Sequence, residues 1–261
     1  MNQNTELMQG GSIMELPVLE IKNVHKKYLS HSVLEGVGFS IPRGKIVGLL
    51  GPNGCGKTTI LKLISGLLQL DEGEIRINGI CPGQQTKSMI SYLPDRMYFA
   101  DWMRVKDMVK LFDDFYQDFR KETAIGMLNQ LGIRLDDRMK TLSKGTKEKV
   151  QLVLVMSRQA KLYILDEPIG GVDPAARDFI LQTILSNYSE DASVLISTHL
   201  ISDVEKVLDE VIFLKEGCMV RQDSVDHIRE TEGKSVDQLF RTIFAYHESD
   251  FQPDLNEENV R

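Results

Sequence analysis

Apolar and polar positions change their spacing several times along the chain, and the changes divide it into elements. From Val18 the pattern is that of strands. Val37, Phe39 and Ile41 alternate with polar or small residues, as expected of a strand with one buried face. The run Lys45-Ile46-Val47-Gly48-Leu49-Leu50 is almost wholly apolar and stops at a glycine-rich loop, which suits a central parallel strand. Glu74 to Asn78 alternates and ends in Asn78-Gly79, a tight-turn dipeptide. The middle differs. Val105, Met108, Val109, Phe112, Phe115, Tyr116 and Phe119 recur at helical spacing, and Ala124, Met127, Leu128 and Leu131 repeat it, with Gly132 where a helix would stop. A further helix is expected to start at Ser143 as its N-cap and to turn Val150, Val153 and Leu154 inward. Strand-like runs then return at Leu162–Leu165, Val194–Ser197 and Val211–Leu214, separated by helical segments. Strands alternating with helices predict an α/β fold with a mostly parallel sheet, interrupted by a helical insertion at about 96–158.

The ends read differently. Residues 1–16 are polar and are expected to be loose, with Met14 an alternative start. Residues 223–261 form an extension holding a short helix (Val236, Leu239, Phe240, Ile243) and an acidic tail after His247. No internal repeat is visible.

Composition narrows the function. The 261 residues are 42% apolar and 26% charged, which excludes a wholly disordered chain. Against 38 Asp and Glu stand 31 Lys and Arg, a net charge of −7, so a nucleic-acid partner is not expected. No apolar run approaches the roughly 18–20 residues that span a bilayer, and the first residues lack the pattern of a secretory leader. The three cysteines (Cys55, Cys81, Cys218) are scattered, which fits neither a disulfide framework nor a zinc site. The expected location is cytoplasmic, with any membrane role coming through a partner.

The most informative segment is Gly51-Pro52-Asn53-Gly54-Cys55-Gly56-Lys57-Thr58-Thr59, a GxxxxGK[ST] loop between a buried strand and an apolar helical run. Its glycines let backbone N–H groups converge on phosphate oxygens, and the helix that follows adds partial positive charge. Lys57 is expected to reach the β- and γ-phosphates and Thr58 to ligate Mg²⁺. Cys55 lies inside this loop, so its alkylation is expected to block nucleotide entry. A second constellation, Leu162-Tyr163-Ile164-Leu165-Asp166-Glu167-Pro168, sets two carboxylates at the end of a buried strand, where ligands of parallel sheets sit. Asp166 is the candidate Mg²⁺ ligand and Glu167 the candidate general base.

From about Val18 to Arg221 the chain resembles the ATP-binding subunits of ABC transporters. Leu142-Ser143-Lys144-Gly145-Thr146-Lys147 resembles their LSGGQ signature, Gly171-Val172-Asp173 their D-loop, and Ser197-Thr198-His199 their switch-histidine loop. The resemblance implies a P-loop NTPase core with an antiparallel β subdomain and a helical insertion, the ATPase domain covering 17–222. It implies ATP and Mg²⁺ as ligands and a head-to-tail dimer, in which Ser143 and Gly145 serve the opposite subunit's γ-phosphate. His199 is implied to contact the γ-phosphate and the attacking water. Tyr28 stands where the family stacks an aromatic on adenine, with a strand-end aromatic covering the core as the alternative.

The chain also departs from the family. Asp95 replaces the usual glutamine after Ile90–Pro94, supplying a charged oxygen to the metal and added repulsion near the triphosphate. Lys144 and Thr146 replace a Gly and a Gln of the signature, which raises pairing with a non-identical ATPase subunit beside a homodimer. Phe112, Phe115, Tyr116 and Phe119 read either as the insertion's core or as part of a groove for a membrane subunit's coupling helix. The function implied is ATP hydrolysis that powers transport, export rather than import, through integral membrane permease subunits at the inner face of the membrane. A regulatory nucleotide-binding module with little hydrolysis is the alternative. Ribosome-acting relatives carry two cassettes, and DNA-repair relatives need long coiled coils for which there is no room.

Overall fold

In a computed structural model, which describes residues 16–170, 174–188 and 191–245, nine strands form two sheets. The antiparallel sheet has the order β2 (His31–Ile41), β1 (Leu19–Tyr28), β4 (Glu72–Ile77). The larger sheet runs β5 (Ile90–Leu93), β6 (Leu162–Asp166), β7 (Ser193–Thr198), β3 (Ile46–Leu50), β8 (Glu210–Lys215), β9 (Cys218–Ser224). Every pairing in it is parallel except β8 with β9. This is the α/β class expected, with the antiparallel subdomain beside it.

Burial explains why these segments are strands. Every residue of β3, β6 and β7 is buried, as continuous apolar runs covered on both faces require, whereas Leu34, Val37, Phe39 and Ile41 of β2 turn one face inward. One apolar cluster fills the space between the antiparallel sheet, α1 (Lys57–Ile64) and one face of the large sheet; a second covers the opposite face. Between β4 and β5 lies the short α2 (Gln84–Met89). The insertion has its own core, formed by α3 (Val105–Phe115), α4 (Lys121–Gln130) and α5 (Lys144–Met156) around Met108, Phe112, Leu128 and Val150. After β6 come α6 (Pro174–Asn187), the one-turn α7 (Ile201–Val204), α8 (Val225–Glu232) and α9 (Val236–Ile243).

Three details differ from the sequence pattern. The stripe expected to continue to Phe119 ends at Phe115, because Tyr116 is extended and Asp118 turns to pair with Arg158. Phe119 still enters the same core by leaving the helix, its ring 5.5 Å from that of Phe112. The extension holds two helices instead of one, and β9 runs to Ser224, across the boundary expected at 222. Residues 1–15, the Gly171–Asp173 segment and the tail after His247 lie outside the described residues.

Candidate nucleotide site

The loop after β3 takes the shape its glycines allow. A Cβ on Gly51 would stand 2.3 Å from the Leu214 carbonyl oxygen and 2.5 Å from Cys55 Sγ. Gly56 has φ +107° and caps α1, a conformation that a side chain would strain. Lys57, only 7% exposed, donates from Nζ to the carbonyls of Gly51 (2.7 Å) and Pro52 (3.1 Å). Cys55 points away from the cleft into the apolar core, and burial pushes its thiol above the usual range. Little of the reactive thiolate is therefore present at Cys55.

The sheet order brings the second constellation to this loop. β7 lies between β6 and β3, with Ser197 in register with both Asp166 and Leu49. The Ser197 hydroxyl donates to Asp166 Oδ1 (2.5 Å), and the Thr58 hydroxyl, one residue into α1, donates to the same oxygen (3.3 Å). Asp166 Oδ2 is buried with no partner. Burial pushes the Asp166 carboxyl above the ordinary carboxylate range, the charges of Asp95 and Glu167 adding to the effect and the two hydroxyls opposing it.

Glu167 has φ +51°, a left-handed conformation unusual outside glycine, and its N–H donates to the Ser197 carbonyl (3.0 Å). That turn sets its side chain against His199, whose Nδ1 lies 3.0 Å from Glu167 Oε2. With the carboxylate opposite, Nδ1 is the donor and Oε2 the acceptor of this contact.

A cleft of about 230 Å³ opens beside these groups, lined by the loop's Asn53, Gly54 and Lys57 together with Thr58, Asp95 and Glu167; Asp166 and His199 do not line it but bond to Thr58 and Glu167, which do. Gly56, Thr59 and Val33 also border it; Val33, on β2, had no signal in the sequence beyond strand alternation. The donor set suits Mg²⁺: one hydroxyl, one carboxylate oxygen orphaned by burial and a second carboxylate, all hard oxygens. Among the described residues no three His, Cys, Asp or Glu form a metal cage, so phosphate and water would supply the remaining ligands.

Three expected residues stand apart from this cleft. Tyr28 is 44% exposed at the end of β1, with Lys26 Nζ 5.9 Å from its ring centre, so it does not cover the core. Ser143 caps α5, its Oγ accepting from the Thr146 N–H (3.2 Å), and Gly145 has open space beside it. Neither lines the cleft of its own chain. The aromatic stripe serves both roles: Phe112 and Phe119 are buried in the insertion's core, and Phe112, Phe115 and Tyr116 line a groove of about 600 Å³ against α1 and β5. Among the described residues no helix is long and apolar enough to cross a membrane.

Comparison with known proteins gives concordant matches. Residues 34–170 match the model of the ABC transporter family. The ABC transporter ATP-binding protein YtrB of Bacillus subtilis (strain 168) is 32% identical over 216 residues, spanning 82% of this chain and 74% of that protein. The lantibiotic transport ATP-binding protein SrtF of Streptococcus pyogenes is 30% identical over 231 residues, 88% of this chain and 98% of that one. A solved ATP binding subunit of an ABC transporter superposes with a TM-score of 0.79 at 30% identity, covering 87% of this chain and 99% of its own.

Proposed function

Because this chain belongs to the ABC transporter family as an ATP-binding subunit, an ATPase whose turnover is coupled to transport, we propose that it drives export through separate membrane subunits. The observation that carries the mechanism is the convergence of Lys57, Thr58, Asp95 and Glu167 on one cleft, with Asp166 bonded to Thr58 and His199 to Glu167 beside it. Lys57 and the loop amides bind the β- and γ-phosphates. Thr58, Asp166 and Asp95 would hold Mg²⁺, which would draw negative charge off the phosphate oxygens. Glu167 takes the proton of the attacking water, and His199 fixes the direction of that carboxylate.

The open cleft and the outlying Ser143 cap support a head-to-tail dimer, in which α5 of one copy closes the nucleotide site of the other. The partner is a second copy or a related ATPase subunit. The groove beside α1 suits a cytoplasmic segment of the membrane subunit, since Leu67, Tyr98 and Phe115 leave 57%, 49% and 75% of their surface exposed along it. Export is supported by a relative named for it, the SkfA peptide export ATP-binding protein SkfE of Bacillus subtilis (strain 168), 29% identical over 212 residues.

Glu167→Gln tests the reading. It should bind ATP as the parent does, lose about 10²–10⁴-fold in turnover, and accumulate as an ATP-bound dimer by light scattering. Parental turnover would remove Glu167 as the base.

A further inference from the structure

Tyr92 is used by no step above, yet it lies beside the site. On β5 it is in register with Ile164 of β6, so its ring shares the sheet face on which Asp166 lies two residues further on. It lines the groove together with Lys62 of α1 and the helix's C-cap Ser65, the same helix whose first turn carries Thr58. Its hydroxyl is buried and has no hydrogen-bond partner. A buried donor left without an acceptor is costly and calls for a reason. Three residues on, Asp95 borders the nucleotide cleft, and among the described residues no hydrogen bond or ion pair holds its carboxylate. A buried donor without an acceptor near the end of β5 thus stands three residues before an exposed carboxylate that no other group among the described residues holds. Burial, with the charges of Asp166 and Asp95, keeps the phenol protonated at neutral pH.

We propose that Tyr92 is the positioning residue for Asp95, donating its hydroxyl to that carboxylate in the nucleotide-bound state. The bond fixes Asp95 in the cleft and offsets part of the negative charge that Asp95, Asp166 and Glu167 gather beside a triphosphate. The groove floor and the metal side of the site then share one side chain. This rests on the reading of Asp95 as a metal ligand.

Tyr92→Phe removes one oxygen and keeps the ring. Without nucleotide its melting temperature should equal or exceed that of the parent, because the hydroxyl has no partner to lose. Its affinity for metal-free ATP should be unchanged. The Mn²⁺ concentration that half-saturates the nucleotide complex, read by electron paramagnetic resonance of bound Mn²⁺, should rise about three- to tenfold, less than the full value of a hydrogen bond to a charged group because Tyr92 acts on the metal only through Asp95. In an Asp95→Ala background the same substitution should add nothing. A shift below twofold, an equal shift in the Asp95→Ala background, or a lowered melting temperature without nucleotide would each overturn the proposal. If Asp95→Ala alone leaves the Mn²⁺ dependence unchanged, the failure lies in the metal-ligand reading, and the proposal falls with it.

Discussion

Lys57 is bound to its own loop, its ammonium held by two backbone carbonyls. Phosphate oxygens compete for a group already in place, so the side chain has little freedom left to lose on binding. Removing it deletes a charged donor from a cleft that otherwise gathers carboxylates. Lys57→Ala should weaken ATP binding about 10- to 100-fold, as expected for the loss of a hydrogen bond to a charged group, measured by equilibrium titration with a fluorescent nucleotide. Lys57, Asp166 and Glu167 were legible in the sequence because each sits in a contiguous strand-to-loop motif. The Ser197 hydroxyl, which joins Asp166 to the neighbouring strand, was visible only as part of the switch-histidine loop.

At the scale of elements, Arg158 fastens the helical insertion to the sheet. Its guanidinium pairs with Asp118, bonds the carbonyls of Ser88 and Ile90, and lies 3.8 Å above the Tyr116 ring, with 2% of the residue exposed. Those contacts end α3 at Phe115, since Asp118 cannot reach the guanidinium while continuing a helix. Arg158→Ala would leave Asp118 and the two carbonyls without their partner and should cost about 3–5 kcal/mol, seen as a lower midpoint in urea denaturation. Arg158→Lys should recover only part of this, because an ammonium cannot match the planar fork. The long stripes and the buried strands were legible through their periodicity. β9 and α8 were not: β9 is an edge strand without clear alternation, and α8 buries only Val225 and Ile228.

Across the whole molecule, exposed carboxylates join segments distant in sequence. The hydrogen bond from Lys26 holds Asp71 below the ordinary carboxylate range, Lys147 does so for Asp101, and Lys106 for Asp136. A carboxyl whose pKa is lower folded than unfolded contributes stability above its unfolded value, and that contribution is lost as pH falls through the folded value. The melting temperature should therefore stay nearly level from about pH 7 to about pH 5 and fall below about pH 4. Asp71→Asn should lower the neutral plateau slightly and make the acid limb shallower, measured by thermal denaturation across the pH series.

The sequence by itself determined what neighbouring residues can settle: which runs are buried strands, where the phosphate loop turns, which strand ends in two acids, and that Ser143 starts a helix. These follow from side-chain periodicity, glycine geometry and capping, all of which act within a few residues. Only the tertiary structure decided that β7 lies between β3 and β6. That order carries Ser197 to Asp166 and His199 to Glu167 across about thirty residues of chain. It also leaves Tyr28 and Ser143 outside the cleft and the Tyr92 hydroxyl facing no acceptor. A crossover between parallel strands fixes handedness but not which strand becomes the neighbour, so adjacency in the sheet comes from packing the whole core.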